Sequence, residues 1–260
     1  MPSGLIKKSE EIEVIRQGGK FLAQILDQVL AQAKAGVKTI ALDELAEKLI
    51  LESGGVPSFK HYKSRPEEVP FPGTICASVN NELVHTPASE YELKEGDILT
   101  VDIGMRWPAE AGFYTDMART VAIGSIPTET QKLLDVTRES LKKGIAAVKA
   151  GNSVADISKA VQQYVEAAGF GVVRDLVGHG VGYAVHEDPR VPNYYSPKMK
   201  EVKLAAGMVL AIEPMVNVGD PAIKSKDDGW TIVAADGGLC AHFEDTIVVT
   251  QKGAEILTQA

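Results

Sequence analysis

The sequence predicts an α+β protein built as two similar halves, and three observations point to it. Two helical stretches followed by strand-like stretches occur twice along the 260 residues. The segments "KAGVKTIALDELAEKLILESGG" (34–55) and "KAGNSVADISKAVQQYVEAAGF" (149–170) line up: Gly36 and Gly54 match Gly151 and Gly169, and Leu42, Leu45, Leu49 and Ile50 match Ile157, Ala160, Tyr164 and Val165. Further on, "LKEGDILTVD" (93–102) and "LAAGMVLAIE" (204–213) share the pattern L-x-x-G-x-x-L-x-x-acid. One such match arises readily between any two helix–Gly–strand units. Two in the same order indicate an internal duplication, with halves of about 1–125 and 126–260 in a single domain, and they make Asp102 and Glu213 equivalent.

The elements follow from local pattern. Residues 9–35 read as a helix: Ser9 can cap it, acidic residues fill its first turn, and Ile15, Phe21, Leu22, Ile25, Leu26, Val29 and Leu30 recur at helical spacing before Gly36. A second helix spans about 41–53 and ends at Gly54–Gly55. Residues 56–73 form a Pro-rich loop. Strands are expected near 74–79, 97–103, 112–123, 207–213 and 243–250, with helices near 127–150 and 154–168. The Pro-rich run 187–198 reads as a loop. Between Asp102 and Asp116, the "RWPAEAG" tip reads as a protruding hairpin loop.

Composition narrows the function. Forty-five per cent of the chain is hydrophobic, enough for a substantial core. The net charge of −8 disfavours nucleic acid or an anionic membrane as the main partner. Two cysteines in no paired spacing argue against a disulfide framework. The start turns charged before any long apolar run, unlike a signal peptide, and no stretch is long and apolar enough to span a bilayer. A reducing compartment, the cytoplasm, is the expectation.

The chemistry sits in acids at strand positions. Asp102 follows "DILTV", Asp116 opens "DMARTVAIG", Glu213 follows "MVLAI" and Glu244 opens "EDTIVV". A carboxylate beside an apolar run is costly unless paired, protonated or bound to a cation. One such acid is as readily a solvated strand end. Four, two per half, would repel one another, and a pair of divalent cations compensates that naturally. His179, in "LVGHGVGYAVHEDP", is a fifth candidate, with glycines that allow close backbone approach and His186 seven residues on. Carboxylates with one imidazole suit a hard or borderline metal, which activates water and polarises a carbonyl. Hydrolysis of an amide or ester is the implied reaction.

Together, Asp102, Asp116, "GHGVG" at 178–182, "HEDP" at 186–189, "IEPM" at 212–215 and "CAHFEDTIVVT" at 240–250 resemble the type I methionine aminopeptidases over essentially the whole chain. The resemblance implies the pita-bread fold: two pseudo-symmetric α+β halves, with a central curved antiparallel sheet covered by helices, around a dinuclear metal site. It implies that Asp102 chelates one metal, that Asp116 and Glu244 bridge two, and that His179 and Glu213 complete the second. A metal-activated water would attack the carbonyl of an N-terminal Met, with Glu213 as proton shuttle. His186 would contact the scissile amide and help stabilise the tetrahedral intermediate, and His85 would meet the substrate near its N-terminal side. Phe71, Cys76, Val185 and Trp230 would line the methionine pocket. His61 and His242 receive no role, although His242 lies two residues before Glu244. The metals would be two divalent ions: Co, Mn, Fe or Zn. The substrate would be the initiator Met of nascent polypeptides with a small second residue, met at the ribosome, and the enzyme a monomer. The chain's own Met1-Pro2 would qualify as a substrate.

Three features depart from that family's pattern. The Asp102–Asp116 spacing is longer, the 60–70 loop "KHYKSRPEEVP" is longer, and "VHTPAS" replaces "VHGIP". All fall where a cleft mouth is expected. "DIG" and "TDMART" lean towards an Xaa-Pro aminopeptidase or prolidase of the same fold, whereas "EPMVNVG" and "DGWT" favour the methionine enzymes. A non-catalytic pita-bread binding protein should have lost ligands and gained basic tracts, and neither has happened here.

Overall fold

In the computed structural model, which describes residues 5–63, 65–199 and 201–260, four helices flank a nine-stranded antiparallel sheet. Met1, Pro2 and Ser64 of the long loop lie outside the described residues. Helices α1 (Ser9–Gln32) and α2 (Thr39–Glu52) precede the first long strands, and α3 (Thr128–Ala146) and α4 (Val154–Ala167) precede the second set. The central path runs through the strands Val56–Pro57, Ile98–Trp107, Phe113–Ala122, Glu244–Val249, Val209–Ile212, Val177–Gly180 and Glu187–Pro192. Ile75–Val79 also pairs with Ile98–Trp107, and Ala254–Ile256 with Glu244–Val249.

Strand parity divides the sheet into two faces. Leu99, Val101, Ile103, Met105 and Met117 pack with Leu22, Leu26, Leu42 and Ile50 of α1 and α2 in one core cluster. Leu210, Ile212, Ile247 and Val249 pack with Leu141 and Ile157 of α3 and α4 in another. The residues between them, Asp102, Gly104, Asp116, Ala118 and Ala211, take the opposite face. Helices therefore cover one side, and the acids share the other.

Four sequence expectations are corrected. Ser9 does not cap α1. The cap position is Lys8, whose N–H donates to the Glu11 carboxylate at 2.7 Å. The helix ends at Gln32 and not at Gly36; Gly36, at φ 88°, lies in the turn into α2 and donates its N–H to Leu93 O. The Pro-rich run opens as a strand, Glu187–Pro192, at the sheet's edge. An edge strand tolerates proline because its outer side needs no N–H donor. Finally, the hairpin tip does not protrude freely: Trp107 stacks on Phe21 of α1 with centroids 5.2 Å apart, and its Nε1–H donates to Ser53 O at 2.9 Å. Ala109 N–H donates to Gly54 O, so the tip docks onto the end of α2. Close packing against α1 also explains its glycine pair, which costs roughly 1 kcal/mol per glycine in an exposed helix: a Cβ on Gly18 would stand 3.2 Å from Cβ of Trp107 in the hairpin. A Cβ on Gly19 would stand 2.4 Å from Leu257 O.

Candidate active site

Register brings the acids together. In the long hairpin Asp102 pairs with Ala118 and Gly104 with Asp116, so the two aspartates are diagonal neighbours on one face. Ala118 also pairs with Glu244 on its other side. Asp102, Ala118 and Glu244 thus form one row, with Asp116 two residues along the middle strand. Asp245 pairs with Ile212, which carries Glu213 to the place beside Glu244. His179 pairs with Ala211. The position that Asp102 and Glu244 flank is an alanine, Ala118, so space is left above the sheet.

His179 sits between two glycines for a reason of close approach. A Cβ at 178 would lie 2.4 Å from Ala211 O, and one at 180 would lie 2.2 Å from Asp188 O. Its Nδ1 lies 2.9 Å from Gly180 O. A carbonyl only accepts, so Nδ1 carries the proton and Nε2 presents its lone pair. That Nε2 lies 3.5 Å from Glu213 Oε1 and 3.9 Å from Asp116 Oδ2. Ligand atoms of Asp116, His179 and Glu244 all lie within 4.8 Å of one another. Asp102 and Glu213 stand just outside that tight group.

The electrostatics are one-sided. Asp102, Asp116 and Glu244 are buried, and Glu213 nearly so. Burial raises the Asp102 carboxyl to about 7. Burial, then repulsion among the acids, holds Asp116, Glu213 and Glu244 well above the carboxylate range. Burial lowers His179 and His242 to about 3 and His85 to about 4, and it also lowers His186. The imidazoles are therefore neutral at pH 7. Among the described residues no Lys or Arg lies within 4.0 Å of these four carboxylates, and the basic groups that approach them are the neutral imidazoles of His179 and His242. Asp102 Oδ1, Asp116 Oδ1 and Glu244 Oε1 are buried without hydrogen-bond partners. Orphaned anionic oxygens with a free imidazole lone pair fit divalent cations as a donor set.

The cluster forms the floor of a cleft of about 610 Å³. His85, His186, Phe71, Cys76 and Trp230 line it with the five candidate ligands. His85 enters at φ 59°, a left-handed backbone rarely adopted without cause. Phe71 and Trp230 stand edge to face with centroids 5.3 Å apart. Trp230 is held by Asp228, whose carboxylate accepts the Trp230 and Thr231 N–H groups. Cys76 pairs directly with Asp102, so the apolar wall starts one strand away from the acids. Val185 packs with Phe71 and Cys76 but is not among the residues lining the cleft.

Two cleft residues were not assigned from the sequence. His242 is buried, with Nε2 at 3.7 Å from Glu213 Oε2 and 3.9 Å from Glu244 Oε2, and neither ring nitrogen has a hydrogen-bond partner. Its spacing of two from Glu244 was the available signal. Tyr62, from the long loop, lines the cleft and touches His186. No pattern announces that contact.

The space above Ala118 yields a prediction. Ala118→Leu should cost about 1–3 kcal/mol by overpacking and should weaken metal retention, because the added carbons occupy the gap between Asp102 and Glu244. Thermal unfolding and metal analysis after dialysis check both effects. A variant that retains metal like the parent would show that the gap is not used.

A carboxylate and imidazole cluster at the base of an apolar cleft on a pita-bread fold defines a metal-dependent hydrolase. The chain belongs to metallopeptidase family M24, whose model matches residues 13–251. It is similar to a methionine aminopeptidase of Clostridium perfringens, 47% identical over 98% of both chains. It is also similar to methionine aminopeptidase 1 of Bacillus subtilis, 44% identical over 98% of this chain and 99% of that one. Among solved structures, the methionine aminopeptidase of Thermotoga maritima aligns with a TM-score of 0.92 at 41% identity, covering 98% of this chain and 99% of that chain. Prolidase from Pyrococcus furiosus shares the fold at 23% identity and a TM-score of 0.78, with 98% of this chain covering 66% of that one. No helix among the described residues is long and apolar enough to cross a membrane.

Proposed function

We propose that this enzyme removes the N-terminal methionine of nascent polypeptides whose second residue is small. The observation that carries the reading is the adjacency of the acid cluster to a short apolar wall holding Phe71, Cys76 and Trp230. A thioether side chain suits a pocket with a polarisable sulfur. The full-length relatives that bear the name methionine aminopeptidase support it further.

Asp102, Asp116, His179, Glu213 and Glu244 would hold two divalent ions from among Co, Mn, Fe and Zn. When bound, such ions polarise the scissile carbonyl and make water nucleophilic at neutral pH. The chain's own groups do the rest. The aromatic wall seats the Met side chain and excludes water around it. Glu213, whose carboxylate lies 3.5 Å from His179 Nε2 at the cleft floor, would take a proton from the attacking water and pass it to the leaving amine. His186 and His85, both neutral, hydrogen-bond the substrate at the scissile amide and near its amino end. We further infer a monomer of one domain, with halves meeting near residue 125, that works in the cytoplasm on chains leaving the ribosome.

Metal-reconstituted protein should release Met from Met-Gly-Met and leave intact Xaa-Pro peptides whose first residue is not Met, as followed by product chromatography. Cleavage of Xaa-Pro without Met release would overturn the assignment in favour of the prolidase reading.

A further inference from the structure

The Tyr62 hydroxyl lies 2.8 Å from Nδ1 of His186, and the two rings meet edge to face with centroids 5.3 Å apart. Other contacts already restrain His186. Its ring stands T-shaped on His179, with centroids 4.5 Å apart. The backbone beside it is pinned by Glu187, which accepts the Tyr183 and Ala184 N–H groups through one oxygen and meets the buried Lys7 ammonium through the other. Position is thus set from behind, and the remaining freedom is which ring nitrogen carries the proton.

A neutral imidazole has one N–H and one lone pair. The phenol O–H is a better donor than the imidazole N–H, and the imidazole lone pair a better acceptor than the phenol oxygen. Burial raises the Tyr62 phenol, so it stays protonated and able to donate. We propose that Tyr62 is a positioning residue that donates its O–H to His186 Nδ1 and so fixes the Nε2–H tautomer. That tautomer can donate a hydrogen bond to the oxygen that gains charge as the scissile carbonyl is attacked. The opposite tautomer would offer that oxygen a lone pair and repel it. The proposal rests on the reading of His186 as a substrate-contacting group. It gives the long loop, which departs from the usual pattern, a part in the reaction.

The test is Tyr62→Phe in the metal-reconstituted enzyme, which keeps the ring against His186 and removes only the hydroxyl. We expect kcat for Met-Gly-Met to fall about fivefold to tenfold, the size of one hydrogen bond, with KM nearly unchanged. The ring nitrogen-15 shifts of His186 should move from an Nε2–H pattern towards a tautomer mixture. His186→Ala tests the underlying reading, and the double variant should be no slower than His186→Ala alone. An impaired His186→Ala beside a Tyr62→Phe with parental kcat and unmoved nitrogen-15 shifts overturns the role of Tyr62. A fully active His186→Ala overturns the reading of His186 instead, and the nitrogen-15 shifts of Tyr62→Phe still decide the tautomer assignment.

Discussion

Asp116→Ala and Glu244→Ala should each lower the rate of Met release by at least about a thousandfold, or about 4 kcal/mol of transition-state stabilisation. Both side chains lie in the tight group with His179. Asp116 lies diagonal to Asp102 across the hairpin and, through Thr246 and Ala211, in one row with His179. Removing either acid takes away one anionic donor and leaves the remaining carboxylates to face one another. The loss should appear in metal content as well as in rate, because the donor set and the reaction share the same oxygens. Asp116→Asn, which keeps the shape but not the charge, should be nearly as inactive as Asp116→Ala. Steady-state kinetics with excess metal, read beside metal analysis, tests the claim. Full activity in either alanine variant would refute the assignment of Asp116 and Glu244 as metal ligands.

The five ligand candidates were legible because each is a carboxylate or imidazole set into an otherwise apolar run, where the cost of burial demands a partner. The repeated sequence pattern added a second reading of two of these residues, since Asp102 and Glu213 close matching segments. Other features depend on which strands become neighbours. Ala118 gains its meaning only when Asp102 and Glu244 flank it, and a strand of alternating small and acidic residues does not name its partners. His242 received no role because its sequence neighbours converge on nothing, yet it lies two residues before Glu244 and shares its face by simple parity. Tyr62 lies in an irregular loop, where periodicity carries no information about direction. The strand Glu187–Pro192 was hidden by its prolines, which mark a loop in the middle of a sheet but are admissible at its edge. The hairpin tip was read as a free elaboration because the partners that hold it, Phe21 and Ser53, lie far away in sequence.

Stripping the metal with a chelator should destabilise the fold, and the loss should grow as pH rises. Without a cation, the carboxyls of Asp102, Asp116, Glu213 and Glu244 are raised above their unfolded values by burial, and in the last three also by their neighbours. The folded protein then binds protons that the unfolded chain has released. Stability attributable to these groups is full below about pH 4, where both states are protonated. It is lost as pH rises through about 7 for Asp102, and the other three, raised in the same direction, add to the loss as pH rises. A bound divalent cation reverses this, because it favours the ionised acids, and its binding should release protons that calorimetry in two buffers can count. The gap in Tm between loaded and stripped protein should therefore be about 10 °C or more at pH 8, from several kcal/mol at roughly 2–4 °C each, and small at pH 5. A variant separates this cause from a general loss of ligand. Asp116→Asn removes one of the crowded charges, so in the stripped state at pH 8 it should melt above the stripped parent although it cannot catalyse, an instance of function retained at the expense of stability. A stripped Asp116→Asn that melts below the stripped parent would mean that repulsion among these acids is not what the metal relieves.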